Sequence, residues 1–298
     1  MRKMITCDEL LDEYRKHPVK EKGEAIQFLG VAPLDVYNIA APFEIDGKKV
    51  IPGRVEPRDS EHSVIRLFER KSANIYEVIE DGISLTLQDP FHTVIDGMRI
   101  LGGVEVEWGE NIRWRTVFYH LVSVTEAVRI FEGPWGMKDL RLKQLADGSI
   151  AIFSRPQGGN AAKGKIGFTT VPSLDKLTID VIENAPLMNN QFSDAEWGGS
   201  NEVHEVDGKL FVLGHIAKFD ENKNLHYYPF VFEAKGLDIV NPHIIAERKD
   251  FAFCDPKRPE LEDVVFSGGI VFENESYYLY SGIGDSSGQK IKIENPFI

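Results

Sequence analysis

The chain has few cysteines, no long apolar run and no excess of positive charge, and each shortage excludes a class of protein. Only Cys7 and Cys254 occur in 298 residues, too few for a disulfide framework and typical of a reducing compartment. No run of about 18 apolar residues suggests a membrane span, and no apolar segment follows the basic start. The net charge of −13 would repel phosphate backbones. We expect a cytoplasmic protein with no nucleic acid or membrane partner.

Motifs for metals and cofactors are also missing. The eight histidines show no paired-ligand spacing of the H-E-x-x-H kind, and no Gly-rich phosphate loop occurs. The segment Gly284–Gly288 matches G-x-S-x-G, but that serine-hydrolase elbow needs a strand-to-helix turn and a downstream histidine, and no histidine follows. We interpret the segment as a loop and predict neither a metal nor a cofactor.

The main positive pattern is a hairpin signal that recurs along the chain. Each copy has alternating polar and apolar residues around a two-residue turn, which is typical of β-hairpins. The turns are Asp46-Gly47, Asp96-Gly97, Asp147-Gly148, Asp207-Gly208 and the variant Asn274-Glu275, at steps of 50, 51, 60 and 67 residues.

This period is that of four-stranded propeller blades. It predicts an all-β fold, a five-bladed β-propeller that forms one domain over residues 25–298, preceded by a helix and connector at residues 1–24. Chance Asp-Gly turns are the alternative. A two-sheet sandwich would show turn signals every 8–12 residues or so, with no longer period above them.

The N-terminal helix has ordinary start and stop signals. Thr6 can cap a helix that runs to about Lys16, with Leu10, Leu11 and Tyr14 on one face. We expect it to close one end of the propeller or to pack on a blade.

Two polar segments between strands are candidate binding loops. Gly53–Ser63 is rich in charges of both signs, including Arg54, Glu56 and Arg58. Such clusters are often solvated faces, but flanking strands and a proline predict a fixed loop, where sites tend to be built. Asn189–Asn201 carries Trp197, which suits stacking on a sugar face or simple packing within the loop.

The repeat also predicts where the chemistry lies, because the inner strand of each blade begins near the central axis. Carboxylates occupy this position in three of the five units, and glycoside cleavage needs two carboxylates roughly 5–10 Å apart. Burial together would keep one of them protonated near neutral pH. The alternative for each is a strand-end residue that binds backbone amides. The converging positions are Asn38, Asp89, Lys138-Asp139, Asn201-Glu202 and Ser267.

Several short motifs resemble those of known families. Gln88-Asp89-Pro90 is similar to the Glu-Asp-Pro-Arg motif of glycoside hydrolase family 130, the mannoside phosphorylases and related hydrolases. Lys138-Asp139 and Ser154-Arg155-Pro156 are similar to that family's Lys-Asp and His-Arg-Pro patterns. The Gly53–Ser63 loop with the Gly136–Gln157 hairpin resembles domain-of-unknown-function family 1861 (MTP-1-like), which is grouped with five-bladed glycosidase-like propellers.

The resemblance implies that Asp89 lies at the general-acid position of family 130. It also implies sugar- or phosphate-contacting positions for Lys138, Asp139, Arg141 and Arg155.

Departures from the family 130 pattern weaken the phosphorylase interpretation. Gln88 replaces a Glu, Phe91 an Arg and Ser154 a His. Arg54, Arg58 and Arg155 remain as phosphate ligands or as partners of carboxylates.

We therefore expect a glycosidase-like enzyme, hydrolase or phosphorylase, that acts on a small carbohydrate by carboxylate acid–base catalysis, with inorganic phosphate as a further partner of a phosphorylase. Inversion is favoured over a covalent intermediate: Asp89 would protonate the leaving oxygen, and Asp139 or Glu202 would activate water or orient the sugar. The predicted substrate-binding residues are Asn38, Arg54, Glu56, Arg58, Lys138, Arg141, Arg155, Trp197 and Asn201.

Two other functions remain open at this point. One is a glycan-binding propeller without catalysis. The other is a lactonase-like hydrolase with Asp139, Glu202 and Asn201 around Ca²⁺, which prefers oxygen ligands.

Overall fold

A computed structural model describes residue 4 and residues 6–298, so residues 1–3 of the basic start lie outside the described residues. These residues form mainly β-strands, with two α-helices, α1 (Cys7–Tyr14) and α2 (Ile179–Glu183). No helix within them is long and apolar enough to cross a membrane. The strands are β1 Glu24–Ala25, β2 Gln27–Leu29, β3 Asp35–Tyr37, β4 Phe43–Ile45, β5 Lys48–Glu56, β6 Val64–Ser72, β7 Ile75–Val78, β8 Ser84–Leu85, β9 Gln88–Ile95, β10 Met98–Glu107, β11 Arg113–Leu121, β12 Ala127–Glu132, β13 Arg141–Gln144, β14 Ile150–Ser154, β15 Gly167–Val171, β16 Trp197–Val206, β17 Lys209–Phe219, β18 Leu225–Lys235, β19 Asp238–Ile244, β20 Asp263–Glu273, β21 Ser276–Ile283 and β22 Ser287–Ile293.

All five predicted hairpins are confirmed. Antiparallel pairs β4–β5, β9–β10, β13–β14, β16–β17 and β20–β21 flank the five turns. Asp46 and Gly47 have φ of 52° and 71°, and the variant turn likewise has both Asn274 and Glu275 at positive φ. Two central residues at positive φ match the twist of the flanking strands, which explains why Asp, Asn and Gly occur there.

The strands form successive antiparallel groups in chain order. Strands β9 to β12 make a four-stranded sheet and β13 to β15 a three-stranded sheet. The other strands belong to one sheet of the order β16-β17-β18-β20-β21-β22-β3-β5-β6-β7-β2, with β1, β4, β8 and β19 paired at its side. Parallel pairing of β22 with β3 joins the end of the chain to its beginning.

Helix α1 packs on one strand group. The Oγ1 atom of Thr6 accepts a bond from the Glu9 amide at 3.2 Å, which confirms the predicted cap. The helix ends at Tyr14, two residues before the predicted end, and buries Cys7, Leu11 and Tyr14 against the core formed with strands of the β16–β19 group. Leu10, expected on the same face, is only partly buried there.

The two segments predicted as loops begin and end differently in the structure. Residues 53–56 belong to β5, where Arg54 pairs with Ile65 of β6 and with Tyr37 of β3, so the predicted loop is wrong for these four residues. Residues 197–201 likewise belong to β16. The charges of the first segment suggested a loop, but Arg54 and Glu56 of β5 are buried and pair with each other.

Candidate active site

The strand pairing is irregular at the repeat positions that were predicted to converge. Asp89 and Pro90 lie between the β9 residues that pair with Gly102 and Val104 of β10, and the register of β16 shifts at Asn201 in the same way. The register of β20 shifts at Gly268. A bulge bends a strand and redirects a side chain. A β-bulge therefore positions residues in three of the five hairpins.

Backbone strain occurs at the same positions. Asn38, Asp89 and Asp139 have φ of 42°, 49° and 59°. Left-handed backbone is unfavourable for side chains other than glycine and is found most often at turns and functional sites. All three side chains are buried, so the fold maintains a strained, polar centre.

Asp89 is held by two neighbours from the first strand group. Its Oδ1 atom accepts from Asn38 Nδ2 at 2.8 Å and from Arg54 Nη1 at 3.1 Å. Only 11% of the side chain is exposed. Both bonds go to one oxygen, so Oδ2 is the atom that these contacts leave to a ligand.

Arg54 connects Asp89 to a buried ion network. Its Nη2 donates to Glu56 Oε2 at 2.8 Å and to Glu61 Oε2 at 3.1 Å. Lys257 pairs with Glu56 and lies 3.1 Å from Glu61 Oε1. Burial opposes the charge of Arg54, but the carboxylates, Asp89 first, outweigh it and raise the pKa of Arg54 above its usual range.

A second cluster surrounds Asp139. Arg155 Nε lies 3.5 Å from Asp139 Oδ2, His215 Nε2 lies 3.9 Å from the same oxygen, and Arg141 Nη2 lies 4.0 Å from Oδ1. Each of these side chains is at most 3% exposed. Gly199 makes the approach possible, because a Cβ there would be 2.8 Å from Asp139 Oδ2.

Burial and charge together set the ionisation of this cluster. Burial opposes the charge of Asp139, but His215 and the cations Arg155, Lys138 and Arg141 outweigh it and lower the pKa of Asp139. Burial lowers the pKa of His215 to about 3 and that of Arg141 to about 10. Near neutral pH the cluster is therefore an anionic Asp139 among cations, with a neutral His215.

Several buried polar atoms of the two clusters have no hydrogen-bond partner among the described residues. They are Arg155 Nη1, Asn201 Nδ2, Asn38 Oδ1 and Asp139 Oδ2. Buried polar groups are rarely left unpaired, and each of these side chains is at least 96% buried. Two donors and two acceptors are thus available to a polar ligand such as a sugar hydroxyl, and the two donors also suit an anion.

The structure places Glu202 in different surroundings from Asp89 and Asp139. Its Oε2 binds His204 Nε2 at 2.7 Å and accepts from the Ile270 amide at 2.7 Å. It lines a cavity of about 200 Å³ shared with Arg141 and His204. Burial opposes the charge of Glu202, but His204 and the amide bond lower its pKa. These contacts give the carboxylate a fixed, ionised state in a cavity that Arg141 and Asn201 of the Asp139 cluster also line.

Trp197 and Arg58 contact neighbouring protein groups. Trp197 Nε1 donates to Tyr227 Oη at 3.0 Å, and the ring packs 4.9 Å from that of Phe219. Arg58 binds both carboxylate oxygens of Asp35, at 2.5 and 2.8 Å. The sequence suggested sugar stacking or packing for Trp197, and these contacts match packing. It suggested phosphate binding or carboxylate pairing for Arg58, and these contacts match carboxylate pairing.

Lys138, Arg141 and Asn201 lie with the Asp139 cluster. Arg141 Nε donates to the Asn201 carbonyl at 2.8 Å, and its guanidinium lies 3.7 Å from the centre of the Phe91 ring. Lys138 is partly exposed at the edge of the cluster. Phe91, which stands where the family 130 motif has an arginine, therefore supports an arginine from another strand.

Sequence reasoning did not include Asp285 or His215 among the predicted site residues. Asp285 lies in the turn between β21 and β22, in the segment predicted to be a loop, and it interacts electrostatically with Arg54 and Asp89. His215 lies on β17, opposite Gly199 of β16, and its Nδ1 bonds Asn201 Oδ1 at 2.8 Å. The only sequence signal for His215 was its place beside the fourth hairpin.

Metal binding receives little support from these surroundings. In the described part of the chain, no group of three His, Cys, Asp or Glu side chains is arranged to hold a metal ion. Asp139, the first ligand of the calcium alternative, is surrounded by Arg155, Arg141 and Lys138, and these cations would repel Ca²⁺.

Comparison with known proteins places the site in a family context. The family model described as "Protein of unknown function (DUF1861)" matches residues 13–298. The chain is similar to MPT-4, a mannose phosphorylase from Leishmania mexicana solved with phosphate ion, with 33% identity over 97% of this chain and 93% of that chain and a TM-score of 0.90.

It is also similar to MPT-1, a GDP-Man-dependent mannosyltransferase from Leishmania mexicana, with 30% identity over 98% and 95% of the two chains and a TM-score of 0.89. A beta-1,2-mannobiose phosphorylase from Listeria innocua shares 14% identity over 92% of each chain with a TM-score of 0.61, which indicates a common fold. A search of curated proteins gave no significant match. The match over residues 13–298 establishes that the chain belongs to the DUF1861 family of proteins of unknown function.

Proposed function

We propose that this chain is a mannoside-active enzyme that transfers a mannosyl unit between a glycosidic oxygen and inorganic phosphate. Two relatives of at least 30% identity over nearly the whole chain carry names of mannosyl-transferring enzymes, and one was solved with phosphate. The proposal rests on the chemistry of the two clusters: a held carboxylate, Asp89, and a buried cationic group around Asp139.

The unpaired Nη1 of Arg155 is the observation that carries the proposal. A guanidinium has donors that match phosphate oxygens, and this one is buried with a free nitrogen. Arg141 and Lys138 add positive charge, which offsets the cost of bringing a dianion into a buried site. A glycoside hydrolase that uses water has no need of this charge.

Asp89 is proposed to act as the acid. In phosphorolysis a phosphate oxygen forms a bond to C1 while the bond from C1 to the departing sugar oxygen breaks and that oxygen gains a proton. Asn38 and Arg54 orient Asp89 through Oδ1, which leaves Oδ2 to face the departing oxygen. One displacement of this kind inverts the configuration at C1. In the reverse direction the carboxylate accepts the proton of the acceptor hydroxyl.

Transfer from a nucleotide sugar is the second candidate. It is favoured by the similarity to the GDP-Man-dependent mannosyltransferase, and a diphosphate leaving group would use the same cations. The two candidates differ in the donor: mannose 1-phosphate for the phosphorylase and GDP-mannose for the transferase.

The number of blades, the extent of the domain and the location of the protein are part of the same proposal. The five confirmed hairpins support five blades around these clusters, in one domain over residues 25–298 with α1 packed on it. The two cysteines, both free, support a cytoplasmic location.

The test is an assay of α- and β-mannosides with and without phosphate, for the wild type and Arg155→Lys. We expect mannose 1-phosphate to form only with phosphate. The Arg155→Lys variant should need at least about ten-fold more phosphate to reach half of its maximal rate. The loss of one hydrogen bond to a charged group weakens binding by roughly this factor. Arg129→Lys, on a surface strand, is the control and should be unaffected. Sugar release without phosphate would overturn the phosphorylase assignment, and activity only with GDP-mannose would favour the transferase.

A further inference from the structure

We infer that Asp285 is a second carboxyl of the Asp89 site and holds the proton that reaches the departing oxygen. This inference rests on the proposed function, because the departing oxygen is that of the glycoside. Its structural basis is the way the end of the chain closes onto the beginning.

The turn that carries Asp285 is fixed against the strand that carries Asn38. Ser287, two residues later, pairs with Val36 of β3. Gly282, three residues earlier, is so close to Asn38 that a Cβ there would lie 2.0 Å from Asn38 Oδ1. On the other side, the Lys257 amide donates to the Gly284 carbonyl at 2.8 Å. Asp285 is therefore held beside the residues that bind Asp89.

The backbone of Asp285 is left-handed, as in the other tight hairpin turns of the chain. Its φ is 52°, in the left-handed region shared by Asn38, Asp89 and Asp139. Glycine is the usual residue for such a position, and Gly284 beside it already has φ of 57°. Asp is one of the few residues that adopt this backbone readily in a tight turn, as at Asp46, so the turn itself fixes the position of the Asp285 backbone.

The charges around Asp285 come from each segment packed against it. Tyr37 of β3, Arg54 of β5, Glu61, Asp89 of β9 and Lys257 all interact with it electrostatically. Burial, followed by repulsion from Asp89 and Glu61, outweighs the attraction of Arg54 and Lys257 and raises the pKa of Asp285 to about 6. Two carboxyls that share one cation in a buried site cannot both ionise easily.

The proton balance of phosphorolysis follows from this pairing. The phosphate oxygen bonds to C1, and the electron pair of the broken C1–O bond goes to the departing sugar oxygen. That oxygen takes the proton held by the two carboxyls. The hydrogen of HPO₄²⁻ returns to them, so the products are a free hydroxyl and mannose 1-phosphate. The carboxyl pair ends in its starting state.

The first experiment is a titration that can be carried out whether or not the protein shows enzymatic activity. In protein labelled with ¹³C at the Asp carboxyls, NMR should show one group with a midpoint near pH 6. The signal should vanish in Asp285→Asn and persist in Asp255→Asn, a control on an exposed residue nearby. In Asp89→Asn the midpoint should fall, because a negative neighbour is removed. A midpoint that stays unchanged in Asp89→Asn, or survives in Asp285→Asn, would overturn the inference.

The second experiment measures the pH dependence of kcat/KM for phosphorolysis. The wild type should lose activity as pH rises through about 6, since the proton-bearing form is the active one. Asp285→Asn should be about 100-fold slower, which is the usual size of an acid–base contribution. Its rate should also no longer fall as pH rises through about 6. A variant whose rate still falls in this way would show a purely structural role and contradict the inference. A wild type without phosphorolysis would overturn the proposed function, while the NMR titration still decides the pairing.

Discussion

The Nη1 atom of Arg54 donates to the Oδ1 atom of Asp89 at 3.1 Å, and this contact links the proposed acid to the buried ion network. Arg54 lies on β5, within a buried ion network, whereas Asp89 lies at the bulge of β9. One guanidinium thus both neutralises the network and orients the proposed acid. The contact suggests variants that separate its structural role from its chemical one.

Asp89→Asn should abolish turnover while keeping the fold. The amide oxygen can still accept from Asn38 and Arg54, but it carries no transferable proton. We expect kcat to fall by about 10²–10⁴-fold, as measured by release of mannose 1-phosphate. Asp207→Asn is the matched control, because it makes the same change at an exposed hairpin turn where Asn is equally suitable. Equal activity of the two variants would refute the role of Asp89.

Arg54→Met should destabilise the protein as a whole. It leaves the buried carboxylate of Asp89 without its cation and leaves Glu56 with Lys257 alone, and breaking a buried pair typically costs about 3–5 kcal/mol. Urea unfolding measures it. Arg113→Met, which breaks an exposed pair with Glu107, should cost less than about 1 kcal/mol. Similar losses for both variants would mean that the buried network contributes no more than a surface pair.

Gly199→Ala should disturb the cation cluster without changing any of its charges. The new Cβ would lie 2.8 Å from Asp139 Oδ2 and 2.9 Å from Arg155 Cδ, so one of the two must move. Overpacking of this kind costs about 1–3 kcal/mol, and we expect a raised KM for phosphate. Gly109→Ala, where a Cβ meets nothing within 4 Å, is the control. An unchanged KM would show that Arg155 does not bind phosphate.

Asp285→Asn should be more thermostable than the wild type at neutral pH. The folded pKa of about 6 exceeds the ordinary 3.8, so the wild type loses stability as pH rises from about 4 to 6 and the Asp285 carboxyl ionises. Asn does not titrate. The two melting temperatures should therefore agree near pH 4 and diverge by pH 7, with the variant higher. A difference that is independent of pH would contradict the raised pKa.

The hairpins were predictable because their signal is local. An Asp-Gly pair favours the left-handed backbone of a tight turn wherever it occurs, and counting the repeat then pointed to Asp89 and Asp139. Both positions lie where strands begin or bulge in the structure.

One-residue shifts within a strand and contacts between distant segments are not visible in the sequence. Asn201 and Glu202 are consecutive, and the bulge between Ser200 and Glu202 changes which way each side chain is directed, although both residues line the same cavity. Asp285 was set aside as part of a loop, because its partners Arg54 and Asp89 are brought near only by the pairing of β22 with β3. No local pattern reveals that closure.

The most direct test of the central claim is to incubate wild-type enzyme with a mannoside and phosphate in water enriched in ¹⁸O. The products are followed by ³¹P NMR and mass spectrometry. The account predicts mannose 1-phosphate without ¹⁸O at C1, formed in step with the free acceptor sugar. Free mannose that carries ¹⁸O, at a rate independent of phosphate, would identify water as the nucleophile and contradict it.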